Sequence, residues 1–196
     1  MALRTRVDFL KRGQEPPRRD WSCLIMGVTT VSGKLAVRVS RAMGVMRVVG
    51  AARSEEAKEL GLDGYITLKN PAVETDFSPA AGVDVVLDYP YDPYVAAYLV
   101  TPSATKPLTW VQIGSLAGPS AEIPAACLRK QDVTVRESGA GAWDIRELGM
   151  EIGDILGMMK GIRMDELMVV DMRDAEREWN MEGRVVFVNQ EKSALH

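Results

Sequence analysis

The sequence predicts a doubly wound α/β fold: a mainly parallel sheet of six or seven strands with helices on both faces. Three observations predict it. Short β-prone apolar runs alternate along the chain with segments of helical period, the pattern of βαβ units. Those runs are apolar at consecutive positions, as strands covered on both faces are. Glycines punctuate the ends of elements (Gly27, Gly44, Gly61, Gly114).

The elements follow in order. Ser22 to Met26 reads as a buried strand stopped by Gly27. Residues 33–44 then switch to helical spacing, with Leu35, Val39, Ala42 and Met43 at i, i+4, i+7 and i+8. A strand at 47–52 precedes a short helix from Ser54, a good N-cap, to Leu60. Further strands are expected at 65–68, 83–87, 109–113 and 133–135, with a helix around 92–100. A long amphipathic helix spans about 143–160, with Ile145, Leu148, Ile152, Ile155 and Met159 on one face and Glu147, Glu151 and Asp154 on the other. A strand at 167–170, a helix through Trp179 and a strand at 185–188 close the chain.

Composition narrows the function. The chain has 196 residues, 46% apolar and 26% charged, with a formal net charge of −3. Disorder, collagen and coiled coil are excluded. A pI near 5.3 argues against a nucleic-acid partner, since no surplus cation is there to displace counterions. Two cysteines and one histidine (Cys23, Cys127, His196) make neither a disulfide framework nor a zinc site. Neither a signal sequence nor a membrane span is legible, so the expectation is a cytoplasmic protein. Residues 1–20 form a basic N-terminal arm, read as a solvated leader or the remnant of an upstream domain, and 21–196 are expected to form a single domain.

In a doubly wound fold, ligands bind beyond the carboxyl ends of the strands. The first strand-to-helix turn, Gly27-Val28-Thr29-Thr30-Val31-Ser32-Gly33, has the context of a Rossmann dinucleotide fingerprint. Gly27 suits the tight turn and Gly33 the close helix-on-strand packing. Thr30 replaces the middle glycine, and either obstructs a pyrophosphate or donates a hydrogen bond to it. The turn is equally compatible with a role in packing alone. At the end of the second strand, Ala51-Ala52-Arg53-Ser54 lacks the acid that favours NAD; Arg53 and Ser54 would instead meet a 2′-phosphate, so a bound cofactor would be NADPH. A solvated charge is the plainer reading of Arg53.

Four tyrosines, Tyr89, Tyr91, Tyr94 and Tyr98, follow the fourth strand beside Asp88 and Asp92. Phenols at this edge can act as general acids or bind a carbonyl oxygen, which makes Tyr89 and Tyr94 the catalytic candidates. Packing of one helix face competes as the explanation for Tyr94 and Tyr98, spaced i, i+4.

Residues 24–68, VDVVLDY at 83–89, WVQIGSLAG at 110–118 and GRVVFV at 183–188 occur in the order found in one family. Together they resemble the cofactor-binding domain of medium-chain dehydrogenases/reductases, in the zinc-free quinone-oxidoreductase-like branch. The resemblance implies a Rossmann sheet binding NADPH and transferring hydride to an activated double bond, quinone or carbonyl of a small molecule. Carried over by position, Gly27, Thr29, Thr30 and Gly33 flank the pyrophosphate, Arg53 and Ser54 meet the 2′-phosphate, and Asp88, Tyr89, Ile113, Gly114 and Ser115 line the nicotinamide side. Family members carry a catalytic domain ahead of this one, and the expectation here is its absence. A homodimer or partner subunit would then complete the site. A catalytically silent relative acting by interaction, and a cofactor-independent isomerase or cyclase reusing the cleft, stand as alternatives.

Overall fold

A computed structural model describes residues 2–11, 13, 20–54, 57, 60–91, 93–101, 107–139, 141–162, 168–181 and 185–189. It contains a six-stranded sheet in the order β3-β2-β1-β4-β5-β6, from β1 (Ser22–Met26), β2 (Arg47–Ala52), β3 (Gly64–Thr67), β4 (Val85–Asp88), β5 (Leu108–Gln112) and β6 (Val133–Glu137). Every neighbouring pair is parallel. The order reverses between β1 and β4, so the switch-point crevice of a Rossmann fold opens at their carboxyl ends.

The period-2 alternation of the strands divides the core in two. Leu24, Met26, Val49, Val86 and Trp110 face one side, under α3 (Tyr94–Val100). Cys23, Ile25, Val48, Leu87 and Val111 face the other, under α2 (Val31–Ala42). This is the two-sided burial that the apolar runs predict. A further helix, α4 (Ala125–Lys130), precedes β6, where no helix is predicted.

Two expectations are corrected. The basic arm is not a solvated leader where it is described: α1 (Ala2–Arg6) and the following turn bury Leu3, Val7 and Leu10 in the core beside Trp21. Its charges are used within the chain. Arg4 pairs with Glu151 and, at 3.0 Å, with Asp154 of α5 (Ile145–Met159). For the same reason α5 is turned from its predicted orientation. Glu151 is buried on the inner face while Ile145 is 83% and Ile152 48% exposed. In α2 the sheet-facing residues are the small ones, Gly33, Ala36, Val37 and Ser40, leaving Leu35, Val39 and Met43 half-buried on its flank.

The chain divides into two compact units, residues 1–162 and 163–196. In the second, β7 (Met168–Asp171) and β8 (Val185–Val188) pair with each other, and among the described residues the main sheet has six strands. Between them lies α6 (Ala175–Glu178), and Trp179 stacks on Phe187 with ring centroids 5.8 Å apart. The predicted helix 54–60 falls partly, and Asp92 and His196 wholly, outside the described residues. No helix among those described is long and apolar enough to cross a membrane.

Candidate functional site

The turn after β1 is built by backbone and one hydroxyl. Gly27 sits at φ +80°, and its N–H and that of Val28 donate to Ala51 O at 2.8 and 3.2 Å, tying the turn to β2. Gly33 packs so closely that an added Cβ would stand 2.3 Å from Gly27 O. Both glycines therefore meet the demands expected of them. Thr30 does something else. Its hydroxyl donates to Gly27 O (2.8 Å) and accepts from Gly33 N–H (3.0 Å), making it the N-cap of α2. With its proton held inside the turn, the hydroxyl is no donor to a phosphate. The N–H groups of Val31 and Ser32, the first two of a 12-residue helix, have no intrahelical acceptor by position. Free N–H groups at a helix start are of the kind that can receive an anion. Thr29 is half-buried beside them.

Arg53 is exposed at the end of β2 and Ser54 is half-buried. The bend that carries them is pinned by Tyr65 of β3, whose hydroxyl donates to Ser54 O (2.5 Å) and lies 3.1 Å from Ala52 O. Tyr65 escaped sequence reasoning because a half-buried strand tyrosine has no signature of its own.

Across the crevice, the loops after β4 and β5 are zipped together. Asp88 O accepts from Ile113 N–H (2.9 Å) and Gly114 N–H (3.2 Å), Tyr89 O from Leu116 N–H, and Pro90 O from Ala117 N–H. A Cβ on Gly114 would lie 2.8 Å from Tyr89 O, so only glycine lets the loops meet. Ile113 is half-buried and Ser115 exposed at this edge.

Two candidates are displaced. Asp88 has no exposed surface, and its carboxylate points into the α3 side of the core. It accepts from Tyr91 N–H (2.8 Å) and Trp110 Nε1–H (3.1 Å), so it holds the loop and does not line the nicotinamide side. Burial lifts its pKa to about 6. Tyr94 is 7% exposed and packs in the core near Tyr98, which meets Phe77 and Trp110 edge-on. Tyr89 alone of the pair stays at the edge, half-buried on the α2 side, its hydroxyl 3.4 Å from Ser32 O. Burial pushes its pKa up to about 12, so it remains a phenol and a donor at neutral pH.

No family model matches the chain. It is 30% identical over 177 residues to a probable NADPH-dependent quinone reductase of Emericella nidulans, an alignment covering 81% of this chain and 48% of that protein. The fold matches the quinone oxidoreductase of Thermus thermophilus with a TM-score of 0.60 at 24% identity, over 91% of this chain and 58% of that one. The quinone oxidoreductase of Pseudomonas syringae pv. tomato matches with a TM-score of 0.66 at 19% identity, over 92% and 60%. The fold is a Rossmann-type α/β fold, and the chain is similar to the cofactor-binding part of medium-chain dehydrogenases/reductases. Its particular likeness is to the quinone-oxidoreductase branch, and it spans about half the length of the relative it matches.

Proposed function

We propose that the chain is the cofactor-binding part of an NADPH-dependent oxidoreductase that reduces a quinone, or a similarly activated carbonyl or double bond, in a small molecule. The observation that carries this reading is the turn at Gly27–Gly33: a positive-φ glycine, a helix start with free N–H groups and a glycine without room for a Cβ, at the switch point of a parallel sheet. The likeness to a probable NADPH-dependent quinone reductase supports it.

In this reading the Val31 and Ser32 N–H groups, with Gly27 and Thr29 beside them, receive the pyrophosphate. Arg53, on the bend pinned by Tyr65, pairs with the 2′-phosphate that distinguishes NADPH from NADH. NADPH supplies a hydride to the acceptor when bound. Ile113, Gly114 and Ser115 floor the nicotinamide side, and Tyr89 offers its phenol to an acceptor oxygen. A covering wall, from a second copy or a further domain, would exclude water from the open strand ends.

The test follows NADPH fluorescence on titration with the protein, then NADPH oxidation on addition of a soluble benzoquinone. Saturable binding with quinone-dependent oxidation is the expected result. Failure to bind NADPH at millimolar concentration overturns the proposal.

A further inference from the structure

A cavity of about 320 Å³ lies on the α2 side of the sheet. One wall is the stripe Leu35, Val39 and Met43 of α2, and the opposite wall is Ile155, Met158 and Met159 of α5. Its upper end reaches Ser32, Tyr89 and Ile113 at the carboxyl ends of the strands, next to the dinucleotide turn. The stripe on α2 is the apolar face that the sequence assigns to a core, yet the sheet is covered by Ala36, Val37 and Ser40 instead. Three large side chains are thus left facing a gap.

The chemistry of the lining selects the occupant. Among the described residues Arg4 is the one cation on the cavity, and it is already paired with Glu151 and Asp154. A charged ligand would lose its hydration and find no free counter-charge. An uncharged one meets apolar walls on both sides. Three methionines give a surface that adapts to flat rings and makes favourable sulfur–aromatic contacts. The volume stands at the low end for small-molecule pockets, which suits one or two rings and not a long chain. At the upper end the Tyr89 hydroxyl, among the described residues, makes one long contact, 3.4 Å to Ser32 O, and can turn to a better acceptor.

We propose that this cavity binds an uncharged carbonyl compound of one or two rings, its oxygen accepting a hydrogen bond from Tyr89. That the ring is the hydride acceptor rests on the reading above; its binding does not.

The probe is 1-tetralone, a neutral, two-ring ketone, titrated into the full chain carrying isotope-labelled methionine methyls. Saturable shifts of the Met43, Met158 and Met159 signals are expected, with exposed Met46 unmoved. Tyr89→Phe should weaken binding about fivefold through the lost hydrogen bond. Leu35→Trp, which fills the gap from α2, should abolish binding, as should Met159→Trp from the opposite wall if the first variant does not fold. Absence of shifts at all three methionines, or unchanged affinity in a folded tryptophan variant, overturns the proposal. NADPH titrated into the same sample separates the two readings. NADPH binding without tetralone removes the cavity's role alone, while tetralone binding without NADPH leaves the cavity standing and removes the reductase.

Discussion

On the α3 side of the sheet the Asp88 carboxylate receives the indole N–H of Trp110 at 3.1 Å, with its other oxygen 2.8 Å from Tyr91 N. This contact joins β4 to β5 one residue before the crevice loops begin and holds Tyr91 at φ 69°. Desolvation raises the pKa of Asp88 to about 6, against about 4 in an unfolded chain. Between about pH 4 and pH 6 the folded protein therefore holds more of this proton than the unfolded one, so this group's contribution to stability falls as pH rises through that window. Urea unfolding of wild type and Asp88→Asn across this range should show the variant less stable at the acid end, with Trp110 poorly partnered, by about 1–3 kcal/mol. The gap should close with rising pH by up to about 3 kcal/mol. A pH-independent gap would show that the Asp88 pKa is the same in the folded and the unfolded chain.

Thr30 caps α2 through Gly33 N–H. Thr30→Ala should lower stability by about 1 kcal/mol, and Thr30→Gly by only a few tenths. Equal losses in denaturant midpoint would contradict the cap. Because the hydroxyl proton is held by Gly27 O, neither variant should lose a direct phosphate contact from this side chain.

The order of elements was legible because strand burial and helix period leave strong marks: Ser22–Met26 and Arg47–Ala52 are predicted to the residue. What escaped depends on pairs distant in the chain. The inward turn of Glu151 is dictated by Arg4, 147 positions away, and no helical pattern contains that partner. The role of Asp88 depends on a tryptophan 22 residues on. Gly27 and Gly33 were readable because their demands are local. The sequence left Tyr94 between packing and catalysis because an i, i+4 aromatic near a strand end looks alike in a core and in a crevice.

The Arg4–Glu151 pair fastens α1 to α5. Glu151→Gln should destabilise the protein by about 2 kcal/mol, and limited proteolysis should then cut sooner within residues 2–10. Replacing both partners by apolar residues, Arg4→Met with Glu151→Leu, should recover most of the loss. If the single variant is as stable and resistant as wild type, the pair does not anchor the arm.

The packing of Tyr94 in the core predicts that it takes no part in the chemistry. Tyr94→Phe should leave NADPH titration and quinone-dependent oxidation unchanged, whereas Tyr94→Ala should lower stability by about 3–5 kcal/mol. A Tyr94→Phe protein that folds normally yet loses turnover would restore the tyrosine to the chemistry.

Calorimetric titration of wild type and Arg53→Ala with NADPH and with NADH tests the central claim most directly, because the 2′-phosphate is the one group that separates the two ligands. The account predicts that wild type prefers NADPH by about tenfold or more, the worth of one charge-assisted contact, and that Arg53→Ala erases the preference while leaving NADH affinity unchanged. Equal affinity of wild type for both dinucleotides, or binding of neither, would contradict it.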